Sequence, residues 1–201
     1  MNFEKYYLLD TNILLEDARN IFKLSDGAKN LIILSETVLD ELDSKKSGYD
    51  EINFQAREFA RILENSEVLS SNKYEDFKII RLKLINQDET IVDIISKDEY
   101  SINSKNISLN ILNDRKILEV AKFAKNYYNK DIKFVSMDIM ARTRAISLDI
   151  KSVALHGKDS DKFNFYFIKN IDINFEDLEN LDNQDIINFD KEYKVSDFSY
   201  C

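Results

Sequence analysis

The sequence predicts an α/β fold of three layers, α/β/α, around a central, mainly parallel twisted sheet, with a C-terminal appendage. Three observations carry this. Short apolar runs such as YYLL (6–9), NLIILS (30–35) and IKFVS (132–136) read as strands buried on both faces. Between them lie stretches whose apolar residues recur at helical spacing. Strands that alternate with helices imply a parallel sheet covered on both sides.

Taken in order, a strand at about 5 to 10 is followed by a helical stretch near 16 to 24, and a second strand fills 30 to 35. ETVLDELDSKK places Val38, Leu39 and Leu42 on one side of a helix. EINFQAREFARILEN is a stronger helix, with Ile52, Ala56, Phe59, Ala60 and Leu63 on one face. FKIIRLKLINQDETIVDII has β-branched runs around a polar NQDE and reads as a hairpin. After a strand-like SLNIL, residues 113 to 128 form an amphipathic helix with Ile117, Val120, Ala121 and Ala124 inward. IKFVS is a strand, MARTRAISLD a helix, and KSVAL a final strand. The main domain is expected over 1–155. Residues 156–201 are acidic and Asn-rich and read as an appendage or linker.

Composition narrows the chemistry. The only glycines are Gly27, Gly48 and Gly157, so neither a G-x-G-x-x-G turn nor a Walker A loop exists in the chain. One histidine, His156, and one cysteine, Cys201, cannot build a zinc site, and His156 lies in a polar stretch unsuited to a nucleophilic triad. A metal, if used, is held by carboxylates and is hard: Mg²⁺ or Mn²⁺. No apolar run approaches the roughly 20 residues of a membrane helix. The start, MNFEKYY, and the lone cysteine lead us to expect a cytoplasmic protein without a signal peptide. The net charge is −9, but residues 156–201 hold 11 acidic against 5 basic residues, which leaves −3 for the main domain. That total does not exclude a phosphate-bearing substrate.

In an open α/β sheet, ligands gather outside the carboxyl ends of the strands. Asp10 ends the first strand and Asp138 follows another. Asp114 is expected in the first turn of the 113–128 helix, and Glu41 lies one turn into the helix after strand two. Taken singly, Asp114 and Asp138 read equally well as helix caps, and Glu41 as solvated charge. Asp10 has a capping role only if residues 11 to 15 begin a helix. Taken together, four converging acids repel one another unless a cation sits among them.

The stretches LLDTN, VLDELD, NDRKIL and FVSMD resemble, in order and spacing, the four acidic motifs of PIN domains, metal-dependent ribonucleases of the PilT N-terminus type. ETVLDELDSKKSG, QAREFARIL and SMDIMARTRAISLDI are similar to the PIN domain that precedes an ATPase in PhoH-like proteins. The resemblance implies that Asp10, Glu41, Asp114 and Asp138 are catalytic metal-binding acids using Mg²⁺ or Mn²⁺. It further implies that Asn12 and Ser136 support them and that single-stranded RNA is hydrolysed. A PhoH-like ATPase and further copies of the chain are the expected partners besides RNA. Arg57, Arg115 and Arg142 are the first candidates for contacting RNA, with Arg61, Lys116 and Arg144 behind them. Tyr49, Phe54, Phe77 and Tyr100 are expected in the core rather than under bases.

Three alternatives stand beside this. A haloacid-dehalogenase phosphotransferase needs a second acid where Asn12 stands, and a receiver domain wants paired acids after strand one. The remaining alternative is a PIN module that binds nucleic acid or a partner ATPase without cutting, or that serves as the toxin of a toxin–antitoxin pair.

Overall fold

The computed structural model describes residues 2–85, 89–100 and 108–155. The predicted appendage, 156–201, and the tip of the NQDE loop, 86–88, lie outside the described residues.

The chain runs β1 (Tyr6–Leu9), α1 (Thr11–Glu16), α2 (Asn20–Ser25), β2 (Leu31–Ser35), α3 (Glu36–Ser44) and α4 (Glu51–Glu64). It continues through β3 (Ser66–Tyr74), β4 (Phe77–Leu84), β5 (Ile91–Lys97), α5 (Leu109–Tyr128), β6 (Ile132–Val135), α6 (Ile139–Ile146) and β7 (Lys151–Val153). These strands form one sheet in the order β3-β4-β5-β2-β1-β6-β7. Pairings among β5, β2, β1, β6 and β7 are parallel, and the β3–β4 and β4–β5 pairings are antiparallel.

Side chains of a strand alternate between faces, so a strand buried at every position must be covered on both. All five residues of β2 are buried. In β1 and β6 three of four residues are buried and the fourth is half-buried. The sheet is therefore the middle of three layers, as the apolar runs predicted. Leu8, Leu9, Ile32, Ile33, Phe134 and Val135 form the centre of the core with Ile13, Leu14, Phe59 and Val120 from the helices.

Three local expectations need correction. The helix expected near 16 to 24 is two short helices, and the first starts at Thr11, directly after Asp10. SLNIL is no strand: α5 begins at Leu109, because a short apolar run cannot by itself distinguish a strand from the inner face of a helix. Asp114 consequently lies in the second turn of α5, not the first. The predicted hairpin exists as β4–β5, but β3 precedes it unannounced. Its sequence, SEVLSSNKY, is mostly exposed, Val68, Leu69 and Tyr74 included, and its pairing with β4 alone makes it a strand.

One buried ion pair joins the antiparallel extension to the rest. Asp93 of β5 is 0% exposed and accepts from Arg81 Nε and Nη2, both at 2.7 Å, and from the Tyr128 hydroxyl at 2.5 Å. Beside it an aromatic series runs from Phe77 through Phe123 (3.9 Å, stacked) and Tyr127 to Tyr128 and Tyr6. Removing one partner of such a pair leaves a buried charge uncompensated. Arg81→Leu should lower the unfolding free energy by about 3–5 kcal/mol in urea titrations. Arg81→Leu with Asp93→Leu should recover most of that loss.

Candidate active site

The site is built outward from Asp10. Its backbone is still in the sheet, donating to the Val135 carbonyl at 2.9 Å, while its side chain caps α1. Oδ1 accepts from Thr11 N at 2.8 Å, and Oδ2 accepts from Asn12 Nδ2 at 2.8 Å and from Ser136 Oγ at 2.5 Å. Asp10 as a residue is 7% exposed. Burial raises its pKa from 3.8 to about 6. The Ser136 and Thr11 hydrogen bonds oppose that rise, and the charges of Asp114 and Glu41 add to it.

Asn12 and Ser136 work as a pair. Asn12 Nδ2 also donates to Ser136 Oγ at 3.2 Å, and Asn12 Oδ1 accepts from Met137 N at 3.0 Å. Ser136 Oγ accepts in addition from Asp138 N at 3.0 Å. One amide and one hydroxyl thus fix the start of α1 against the end of β6. Met137 is exposed and takes no part through its side chain.

The other three acids come from three further elements. Glu41, on α3, accepts from Asn113 Nδ2 of α5 at 2.6 Å and from the Thr11 hydroxyl. Asp114 is half-buried and ion-paired with Arg144 of α6. Burial raises the Asp114 pKa, Arg144 opposes the rise, and Asp138 and Glu41 add to it. Asp138 caps α6, its Oδ1 accepting from Met140 N at 2.7 Å. Asp10 therefore lies within electrostatic reach of Glu41 and Asp114, and Asp114 within reach of Glu41 and Asp138.

Among the described residues, however, no three His, Cys, Asp or Glu side chains stand together as a group that could hold a metal ion. The hydrogen bonds give the reason. Glu41 is turned to Thr11 and Asn113, Asp114 to Arg144, and Asp138 to its own helix. Thr11 and Asn113 were not among the predicted site residues, and Arg144 was expected to face phosphate rather than Asp114. The only sequence signal for them was adjacency: Thr11 follows Asp10, and Asn113 precedes Asp114.

The arginines predicted to meet RNA divide by their contacts. Arg57 Nη1 donates to the carbonyls of Lys46 and Gly48, at 2.9 and 2.8 Å, and so holds a loop. Arg142 Nη1 donates to the Ser136 carbonyl at 2.7 Å and braces the strand end. Arg115 is exposed beside Asp114.

Residues 7–156 match the PIN domain family, which is most of the chain. The chain belongs to the PIN domain family. A 60-residue stretch is 38% identical to Protein PhoH2 of Bacillus subtilis (strain 168), covering 30% of this chain and 13% of that protein's length. This PIN domain also aligns with a domain of a functionally unknown protein from Methanocaldococcus jannaschii DSM 2661. That alignment has 17% identity and a TM-score of 0.49, over 76% of this chain and 92% of that one. Among the described residues no helix is long and apolar enough to cross a membrane.

Asp10, Glu41, Asp114 and Asp138 offer only oxygen, the donor type that a hard divalent cation takes. Asp10 in particular is a buried carboxylate whose neighbours here are neutral donors and other acids, and a cation would lower its pKa.

Two outcomes are expected. Because the folded pKa of Asp10 lies above its ordinary value, the group favours folding fully below about pH 4 and loses that contribution as pH rises through about 6. In EDTA, the stability of the wild type minus that of Asp10→Asn should fall by about 3 kcal/mol between about pH 4 and about pH 7. Millimolar Mn²⁺ should shrink the fall. Arg144 supplies Asp114 with an internal cation. Arg144→Gln should therefore melt lower in EDTA and gain more in Tm on adding Mn²⁺ than the wild type; equal gains would mean that Arg144 and metal do not compete.

Proposed function

We propose that this PIN domain is a metal-dependent endoribonuclease that hydrolyses phosphodiester bonds of single-stranded RNA. The observation that carries the reading is the buried Asp10 carboxylate at the end of β1, held by neutral donors only, with Glu41 and Asp114 within electrostatic reach and Asp138 within reach of Asp114. Such an arrangement costs the fold stability unless a cation relieves it. In this reading the four acids hold Mg²⁺ or Mn²⁺. When bound, the metal supplies Lewis acidity toward water and toward the phosphoryl oxygens.

The protein's own groups have distinct tasks. Asp10 is the fixed member, since Thr11 N, Asn12 and Ser136 set both of its oxygens before any ligand arrives. Glu41 and Asp114 are the adjustable members. Each is held by side-chain partners, Thr11 and Asn113 for one and Arg144 for the other, that can release it by rotating. Arg144, once displaced from Asp114, and exposed Arg115 are positioned for the phosphates flanking the scissile bond. The family match and the PhoH2 relative support the nuclease class, and the relative supports a PhoH-like ATPase as a working partner.

A second reading is favoured by the Arg144–Asp114 ion pair. If Arg144 stays in place of a metal, the domain binds RNA or an ATPase without cutting it.

The test is cleavage of an end-labelled single-stranded RNA in Mn²⁺ and in EDTA. The wild type should cut only with metal. Asp10→Asn and Asp114→Asn should each lose at least about 100-fold in rate, the scale of removing a group that stabilises transition-state charge. Their far-ultraviolet spectra should match the wild type. Binding without cutting in Mn²⁺ would favour the second reading.

A further inference from the structure

Tyr49 was expected in the core, and it is the most exposed large apolar residue described, at 103% of its reference surface. Isolated apolar residues on a surface need no explanation. Tyr49 differs because the backbone on both sides of it is hydrogen-bonded to side chains of α4. Arg57 binds the carbonyls of Lys46 and Gly48. Asn53 Nδ2 donates to the Lys45 carbonyl at 2.7 Å, and Asn53 Oδ1 accepts from Asp50 N at 3.0 Å. Gly48 has φ +130°, and a Cβ there would lie 2.3 Å from Asn53 Oδ1, so the loop closes against Asn53 only because residue 48 has no side chain. Two half-buried side chains of α4 are thus committed to a loop that presents an aromatic ring to water.

The loop starts where α3 ends, and α3 carries Glu41. Ser44 Oγ bonds the Glu41 carbonyl at 2.7 Å, and Lys45 and Lys46 follow, both exposed. Lys46 is paired with Asp43 at 2.6 Å, and no ion pair engages Lys45 among the described residues. Asp43, Asp50 and Glu51 outweigh the two lysines by one charge, so electrostatic attraction gives this loop as a whole no hold on a polyanion. A π-face has no such limit. Every base offers one, and stacking on an aromatic side chain is tolerant of sequence. A loop backbone already anchored before binding lowers the ordering cost that an unanchored loop would incur.

We propose that Tyr49 is a stacking platform for an unpaired base of the RNA strand that enters the Glu41 side of the site, with Lys45 taking an adjoining phosphate. This rests on the ribonuclease reading and names where its substrate is gripped. The platform selects unpaired strands, because a base within a duplex has both faces covered by its neighbours.

The chain has no tryptophan, so Tyr49→Trp places a single indole at the platform. With the full chain in EDTA, its fluorescence should be quenched saturably by a short single-stranded RNA. An abasic ribose-phosphate strand of equal length and a blunt duplex should not quench it. By competition against that signal, Tyr49→Ala should bind the single strand roughly 5- to 150-fold more weakly than the wild type, while Tyr49→Phe should bind as the wild type does. Melting of Tyr49→Ala should be unchanged, since the ring packs against nothing. Equal affinity for Tyr49→Ala and wild type, or equal quenching by the abasic strand, would overturn the platform and leave the ribonuclease reading intact. No binding and no cleavage by any form would overturn both.

Discussion

The rest of the site depends on one interaction, the placement of the Asp10 carboxylate between the end of β1 and the end of β6. The parallel pairing of Leu9 with Val135 brings Ser136 beside Asp10, and the Asp10 N–H still belongs to the sheet. With its backbone so held, the carboxylate has little freedom to swing out to water. Three neutral donors hold it, and burial raises its pKa in spite of the hydrogen bonds from Ser136 and Thr11. Thr11 and Asn12 extend the arrangement in two directions: the Thr11 hydroxyl reaches Glu41, and Asn12 reaches Ser136 and Met137. A single turn of helix therefore ties together α3, β1 and β6.

Where the sequence was legible, the reason was burial. β1, β2 and β6 lie at the centre of the sheet, and strands covered on both faces must be written almost wholly in apolar residues. The acids at their ends then stand out, since a carboxylate beside such a run needs an explanation. α4 was legible by its apolar repeat. β3 was not, because an edge strand with both faces near water has no pattern to enforce. SLNIL misled for the opposite reason: Ile111 and Leu112 turn toward the protein from a helix, and a run of five residues is too short to reveal its period.

The partners of the acids were harder to foresee than the acids. Asn113 bonds a carboxylate 72 residues away and Arg144 one 30 residues away, and neither spacing has meaning until α3, α5 and α6 are packed. Arginine is also ambiguous in a sequence. The same guanidinium that suits a phosphate suits a main-chain carbonyl, and Arg57 and Arg142 found carbonyls. Tyr49 failed as an expectation for a related reason: aromatic residues are usually buried, and what holds this one outward is a contact between Gly48 and Asn53.

The central position of β1 has a consequence for how the chain assembles. β1 can pair with β2 across the α1–α2 connection, but its other edge waits for β6, after which comes Ser136, 126 residues beyond Asp10. Closing so long a loop is slow relative to the local hairpins and helices that precede it. On a growing polypeptide, everything through β5 can form while β1 remains an open edge. Asp10 then lacks Ser136, Asp138 has not yet arrived, and the acidic rim is incomplete. Docking of β6 closes that edge and brings Ser136 to Asp10, so a chain without β6 lacks the hydroxyl that holds the Asp10 carboxylate.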